Sequence, residues 1–167
     1  MNDFNIDLEY SMLHKDDSIL NEFYKTAFPR AIKIDFVKDL NVQKKGIDKI
    51  ITLQNGKEIT VDEKKRRKDY GDILLEVYSN LKRKKWGWLV TAQCDYIVYA
   101  IIPAGKVYLL PVLLLKMAAK ENWSKWYSKD NFRDADNQYY ITRNIAVKTE
   151  ELLNAIKKQL SQSINAA

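Results

Sequence analysis

Apolar and polar residues alternate along two short runs on either side of Asn55-Gly56. The runs are GIDKIITL, residues 46–53, and ITVDEKKRRK, residues 59–68. This alternation predicts two strands, and the Asn-Gly pair between them predicts a β-hairpin, because both residues tolerate the positive φ angles of its turn. Antiparallel pairing around that turn places residues whose numbers sum to about 111 opposite one another, so Asp48 is expected opposite residue 63.

The rest of the chain mixes helical and strand-like periodicity. Helical spacing of apolar residues is found in 16–28, 113–123 and 149–160, and strand-like patterns are found in 31–42, 72–79, 95–102, 106–113 and 139–147. We expect strand 72–79 to lie beside the hairpin, and the polar, aromatic stretch 123–138 to form a loop. Because internal repeats and low-complexity segments are missing, this mixture indicates one α+β or α/β domain spanning residues 1–167.

The charge balance points to a polyanionic partner. The chain has 28 Lys and Arg residues against 22 Asp and Glu, a formal net charge of +6. Two basic runs follow predicted strands and are candidates for binding nucleic-acid phosphates: Lys65, Arg66, Arg67 and Lys68, and then Lys82, Arg83, Lys84 and Lys85. Arginine can contact a phosphate through two parallel hydrogen bonds, which favours nucleic acid as the partner. We expect the neighbouring Trp86 and Trp88 to belong to the core.

Composition excludes most histidine and cysteine chemistry. His14 is the only histidine and Cys94 the only cysteine, so a zinc site of the usual kind and a catalytic triad both lack residues. Cys94 adjoins a predicted strand and is expected to be a small core residue. A single cysteine fits a reducing, intracellular compartment, and no apolar run is long enough to predict a membrane span.

The remaining candidate chemistry is the binding of a metal ion by carboxylate oxygens at the hairpin. The hairpin gathers two or three carboxylates and an amine, from Asp48, Asp62, Glu63 and Lys64. Clustered carboxylates suit Mg²⁺ or Mn²⁺, which can polarise a phosphoryl oxygen and lower the pKa of a bound water. A neighbouring lysine can orient that water or stabilise developing charge. These residues therefore indicate metal-assisted hydrolysis of a phosphodiester bond.

The order of Asp48, a turn, and then Asp62-Glu63-Lys64 resembles the active-site signature of the PD-(D/E)XK nucleases, the restriction-endonuclease-like superfamily. The resemblance implies an α/β fold with a restriction-endonuclease-like core, in which helices flank a mixed central β-sheet. In that core the helix at 16–28 would precede three meandering strands at 46–54, 57–65 and 71–79.

The resemblance also implies a role for each residue of the signature. Asp48 and Asp62 would ligate Mg²⁺ or Mn²⁺ with help from the backbone carbonyl of Glu63. Lys64 would serve the attacking water and the scissile phosphate. Glu22 matches the glutamate that many members add from their first helix. The implied activity is that of a small DNA endonuclease, which would act as a homodimer if it cuts both strands.

Alternatives stay open for the signature and for the function. Glu63 and Lys65 form a second acid-x-lysine match on the same strand. Their strand face also carries apolar side chains and is expected to face the core, which favours Asp62 and Lys64. The alternative functions are a non-catalytic nucleic-acid-binding or assembly protein that keeps the fold, and a protein-interaction module that uses the aromatic stretch 123–140.

Overall fold

The computed structural model describes residues 18–165. Its helices and strands are, in chain order, α1 Ser18–Ala27, β1 Ala31–Phe36, α2 Leu40–Gln43, β2 Lys49–Leu53, β3 Glu58–Arg66, β4 Asp72–Asn80, β5 Lys85–Trp86, α3 Trp88–Thr91, β6 Tyr96–Ile101, β7 Lys106–Pro111, α4 Val112–Glu121, α5 Trp123–Trp126, β8 Phe132–Asp136, β9 Ile141–Lys148 and α6 Thr149–Asn165. His14 and the first two residues of the predicted helix 16–28 lie outside the described residues.

The described chain forms two compact units, and each has its own β-sheet. The five-stranded unit comprises residues 18–69 and 92–112, and its strand order is β1-β2-β3-β6-β7. The four-stranded unit comprises residues 70–91 and 113–165, and its strand order is β5-β4-β9-β8. All pairings are antiparallel except that of β3 with β6. The fold class is therefore α/β, with a mixed sheet flanked by helices.

Helix α1 packs on one face of the five-stranded sheet. Its side chains Leu20 and Tyr24 are buried, because positions four apart lie on one side of a helix, and Phe28, directly after the helix, is buried as well. They meet buried side chains from the central strands, namely Ile51, Val61, Val98 and Ala100. Since side chains alternate along a strand, the neighbours of Val61 on β3 point to the opposite face of the sheet.

Strand β4, predicted as the third strand of the meander, belongs to the other sheet. It pairs with β5 and β9, whereas β3 pairs with β6 in parallel. The expected position of strand 72–79 beside the hairpin is therefore wrong. The burial pattern explains the choice: β6 is buried along nearly its whole length, as parallel strands usually are, whereas β4 alternates like a strand with one face on a core. Strand β1 completes the meander by pairing with β2.

The four-stranded sheet packs against α6. Alternate residues of β4 are fully buried, and Leu152 and Ile156 of α6 are buried as well. Stretch 123–138, predicted as a loop, contains α5 and β8. Strand β8 was not predicted, because it is an edge strand whose polar sequence, FRDAD, lacks the alternation of apolar and polar residues.

Several other predictions are confirmed. The apolar hairpin of 95–102 and 106–113, the helix at 113–123, the strand at 139–147 and the final helix from Thr149 all form. Of the helices between residues 18 and 165, none combines the length and apolar character that a membrane crossing requires.

Candidate active site

The hairpin brings Asp48 and Asp62 together at the start of β2 and the middle of β3. Lys49 pairs with Val61 and Ile50 with Thr60, so this register, continued by one residue, places Asp48 level with Asp62. The predicted register is therefore off by one residue. The cause is the turn, in which the Leu53 amide donates to the Lys57 carbonyl (2.9 Å) across three loop residues that end in Gly56 at φ +78°.

Backbone hydrogen bonds hold the Asp48 carboxylate in place. The Asp48 amide donates to the Val61 carbonyl at 2.8 Å, which ties the residue to β3. The Glu63 amide in turn donates to Asp48 Oδ2 at 2.9 Å. Asp48 is thus fixed by the strand that carries Asp62, and its orientation does not depend on a flexible side-chain contact.

The Asp62 carboxylate is buried, with only 1% of the residue exposed. Its Oδ1 accepts from Lys64 Nζ at 2.6 Å, and 30% of the Lys64 side chain is exposed. Its Oδ2 is buried and has no hydrogen-bond partner in the described part of the chain. A buried carboxylate oxygen without a partner is costly, which marks this atom as a candidate ligand for a cation.

The electrostatics of Asp62 agree with that interpretation. Burial raises the pKa of Asp62 to about 6, and the neighbouring Asp48 carboxylate adds to the rise, whereas the Lys64 ammonium opposes it. Two carboxylates that share one desolvated site repel each other, so the site carries unbalanced negative charge when both are ionised. A divalent cation would relieve that charge, as a proton does at low pH.

Gly46 keeps the space beside Asp62 open. Its backbone has φ +71°, a conformation that favours glycine. A Cβ atom at this position would stand 3.2 Å from Asp62 Oδ2, closer than nearly all natural Cβ contacts. Glycine therefore both permits the turn into β2 and leaves room next to the unpartnered oxygen. A signal was present in the sequence, because Gly46 is the first residue of the predicted strand 46–53 and stands two residues before Asp48.

The donor set fits Mg²⁺ or Mn²⁺. Within residues 18–165 no group of three or more His, Cys, Asp or Glu side chains could hold a metal ion, so the pair stands without a third carboxylate. Mg²⁺ commonly binds proteins through one or two carboxylates, keeping waters and substrate phosphates as its other ligands. Asp48 and Asp62 therefore suffice for such a site, whereas an all-protein cage is excluded there.

The side chain of Glu63 lies on the opposite face of β3, in a buried ionic cluster. Its carboxylate accepts from the Tyr24 hydroxyl (2.7 Å) and pairs with Lys49 (2.6 Å) and Lys65 (3.3 Å). Lys49 Nζ also lies 4.4 Å from the centre of the Tyr24 ring. Burial and the Glu63 charge raise the pKa of Tyr24. The second acid-x-lysine match thus joins α1 to the sheet, and sequence reasoning missed Tyr24 and Lys49 because their partners are distant in the chain.

Glu22 is not brought to the carboxylate pair. It lies on the exposed side of α1, where it pairs with Lys25 at 3.1 Å. The buried positions of α1, Leu20 and Tyr24, are each two residues away and therefore lie on the far side of the helix. A helix glutamate is not part of the site as the structure presents it.

The basic residues divide into buried and exposed groups. Lys65 was expected to contact phosphate, but its side chain is only 4% exposed and is paired with Glu63, so it belongs to the ionic cluster. Arg66 and Arg67 are half-buried and Lys68 is exposed, all in the five-stranded unit. The second run belongs to the four-stranded unit and is fully exposed: Lys82, Arg83, Lys84 and Lys85.

Three further residues were predicted to be in the core, namely Cys94, Trp86 and Trp88, and of these Trp88 is half-buried. Cys94 is buried, and burial raises the pKa of its thiol to about 11, which makes it unreactive at neutral pH. Trp86, however, is 47% exposed and stacks on Tyr78, so its assignment to the core is wrong. It lies on the two-residue edge strand β5, which has too few neighbours to cover it.

A cavity of about 760 Å³ lies in the four-stranded unit, between the turn after β4 and the turn after β8. Its walls include Lys82 and Arg83 on one side and Tyr139 and Tyr140 on the other. Asp48 and Asp62 are not among its lining residues. The carboxylate pair therefore lies outside this cavity.

Comparison of the chain with protein-family models, with curated proteins and with solved structures found no match. Function is therefore inferred from the geometry of the site.

Proposed function

We propose that this protein is a Mg²⁺- or Mn²⁺-dependent DNA endonuclease of the PD-(D/E)XK type. The observation that carries the proposal is the buried, unpartnered Oδ2 of Asp62, next to the Asp48 carboxylate and to a lysine on the same strand. An acid pair can hold a metal ion that polarises a phosphoryl oxygen, and an adjacent amine can stabilise the charge that develops, so this arrangement supports metal-assisted phosphodiester hydrolysis.

The order of the elements supports the restriction-endonuclease-like core. Helix α1 is followed by the meander β1-β2-β3; the chain then forms β4 and β5 of the other sheet and returns through α3 to β6, which pairs with β3. Asp48 directly precedes the second strand of this meander, and Asp62 and Lys64 lie on the third. These are the strands on which the resemblance implies the signature, although β4 is not one of them.

Each residue has a distinct role in the proposed reaction. Asp48 and Asp62 hold the cation, together with the backbone carbonyl of Glu63. The bound cation supplies polarisation of the scissile phosphate and a water of lowered pKa. Lys64, partly exposed beside Asp62, orients the attacking water and stabilises the charge that develops on the phosphate. Arg66, Arg67 and Lys68 continue the same strand and contact the DNA backbone.

The test is cleavage of supercoiled plasmid and of a branched DNA in Mg²⁺ or Mn²⁺, with and without a chelator. We expect cutting that needs the metal, and we expect Asp62→Asn to abolish cutting while DNA binding persists. In thermal unfolding, Mn²⁺ should stabilise the natural protein and leave Asp62→Asn unchanged. Binding of DNA without metal-dependent cutting on any substrate would contradict the proposal and favour a non-catalytic nucleic-acid-binding protein with this fold.

A further inference from the structure

Two stacked pairs of aromatic rings lie in the four-stranded unit. Trp86 on β5 stacks on Tyr78 of β4, with ring centroids 4.7 Å apart and planes inclined by 17°. Trp123 of α5 stacks on Tyr127, again with centroids 4.7 Å apart and an inclination of 8°. The two pairs lie side by side, since burial and the neighbouring Tyr127 side chain both raise the pKa of Tyr78. We call these four residues, Trp86, Tyr78, Tyr127 and Trp123, the aromatic row.

The aromatic row is held in place by neighbours on the sheet. Phe132 of β8 packs against the Tyr127 ring at 4.8 Å. The Arg143 guanidinium lies 4.2 Å above Phe132 and makes two hydrogen bonds to Asp134, of 2.9 and 2.7 Å. Arg143 therefore helps to fix the position of the row. Because its charge is paired with Asp134, we expect phosphates to bind other cations.

Both ends of the row are exposed tryptophans. Trp86 is 47% and Trp123 is 36% exposed, whereas each inner face is covered by its tyrosine. Burial of these indole rings would stabilise the fold, so their exposure to water costs hydrophobic stabilisation. Flat rings whose inner faces are already stacked offer an outer face on which a further planar group can continue the stack.

The charge next to the row selects an anionic ligand. Lys82, Arg83, Lys84 and Lys85 immediately precede Trp86, and all four are exposed, with no acidic residue among them. Lys125 follows Trp123 by two residues, and its side chain is 68% exposed, although it pairs with Glu151. Aromatic faces combined with a run of cations are the combination with which proteins bind unpaired bases and the phosphates between them.

We infer that the aromatic row binds single-stranded DNA, with unpaired bases stacked on Trp86 and Trp123 and phosphates on Lys82–Lys85. Duplex DNA offers no free base faces, because every base is already stacked on both sides. The inference deepens the proposed nuclease and rests on it only for its biological role: the substrate would be DNA with an unpaired segment, such as a branch, flap or bubble.

The test measures binding of a labelled oligo(dT) of about 15 nucleotides by fluorescence anisotropy, in chelator so that no cleavage occurs. We expect oligo(dT) to bind more tightly than duplex DNA of equal length. The double variant Trp86→Ala/Trp123→Ala should lose about tenfold or more in affinity, and Trp86→Phe/Trp123→Phe should stay within about threefold of the natural protein. Leu160→Ala removes an exposed apolar side chain of the same unit, on α6 outside the row, and should leave affinity unchanged.

Four results would overturn the inference. These are failure of the natural protein to bind oligo(dT), equal affinity of the double alanine variant, tighter binding of oligo(rU) than of oligo(dT), and loss of self-association in the double variant by light scattering. The last would make the row an interface between copies. Asp62→Asn should bind oligo(dT) normally. If the natural protein bound oligo(dT) but cut no substrate in Mg²⁺ or Mn²⁺, the nuclease proposal would be contradicted and the aromatic row would stand.

Discussion

Asp62 combines two properties that ordinary surface carboxylates lack. It is buried, and one of its oxygens has no hydrogen-bond partner among the described residues. Lys64 offsets part of the cost through Oδ1, but the Asp48 carboxylate on the neighbouring strand adds to it. A group held in this way is destabilising when ionised, which proteins tolerate mainly where the charge has a function.

This property predicts a specific dependence of stability on pH. Because the pKa of Asp62 rises from 3.8 to about 6 on folding, the folded state binds the proton more tightly than the unfolded state. The contribution of Asp62 to the free energy of unfolding should therefore fall as pH rises from about 4 to about 6. Denaturant unfolding without metal should show that Asp62→Asn gains stability relative to the natural protein across this range. Parallel pH profiles for the two proteins would contradict the burial of an ionisable Asp62.

Gly46 allows the space beside Asp62 to be tested separately from backbone strain. Gly46 and Gly56 both have positive φ, but an added Cβ would press on Asp62 Oδ2 only at position 46 and would meet open space at position 56. The positive φ should cost each alanine variant about 1 kcal/mol of stability, and the contact with Asp62 should add to that cost only in Gly46→Ala.

The two glycine variants should differ in activity. Gly46→Ala should lower metal-dependent cleavage about tenfold or more, whereas Gly56→Ala should stay within about twofold, as measured by initial rates of plasmid nicking. Equal rates in the two variants would show that the space beside Oδ2 is not used.

At the scale of elements, the alternation of β3 separates two ionic groups on its two faces. Asp62 and Lys64 face away from α1, and Glu63 and Lys65 face toward it, as the apolar character of the inner face predicted. The inner group joins three elements, since Tyr24 comes from α1 and Lys49 from β2. We therefore expect the inner group to govern stability and the outer group to govern activity.

Substitutions in the inner group should show this division. Tyr24→Phe keeps the ring and removes one hydrogen bond, so the free energy of unfolding should fall by about 1 kcal/mol. Glu63→Ala leaves two buried lysines without their anion and should cost about 3–5 kcal/mol. Denaturant unfolding measures both effects. If Glu63→Ala were as stable as Tyr24→Phe but had no nuclease activity, Glu63 would belong to the catalytic site instead.

The elements also show where sequence reasoning ends. The hairpin could be predicted from local turn chemistry. Its predicted register differs from the observed one by one residue, because the turn uses three loop residues with Gly56 alone at positive φ. The pairing of β3 with β6 could not be predicted from the local sequence, because about thirty residues separate the two strands and they pair in parallel. Strand β8 and the exposed Trp86 were missed because edge strands lack the alternation that marks a half-buried strand.

At the scale of the whole molecule, the positive charge and the carboxylate pair support one account. A formal net charge of +6 favours association with a polyanion. The half-buried Arg66 and Arg67 and the exposed Lys68 lie on one compact unit, and the exposed run 82–85 lies on the other. In the proposed nuclease, the pair of carboxylates would hold the metal ion that acts on a bound phosphodiester. Lys64 links the positive charge of the chain to the carboxylate pair, because its ammonium group lies directly beside Asp62.

The most direct test is therefore the rate of plasmid nicking in Mn²⁺ under saturating protein, for the natural protein, Lys64→Ala and Lys57→Ala. Lys57 lies in the exposed turn of the same hairpin and is the matched control. The account predicts that Lys64→Ala loses about a hundredfold or more in rate while binding DNA as before, and that Lys57→Ala cuts normally. Unchanged nicking by Lys64→Ala would contradict it.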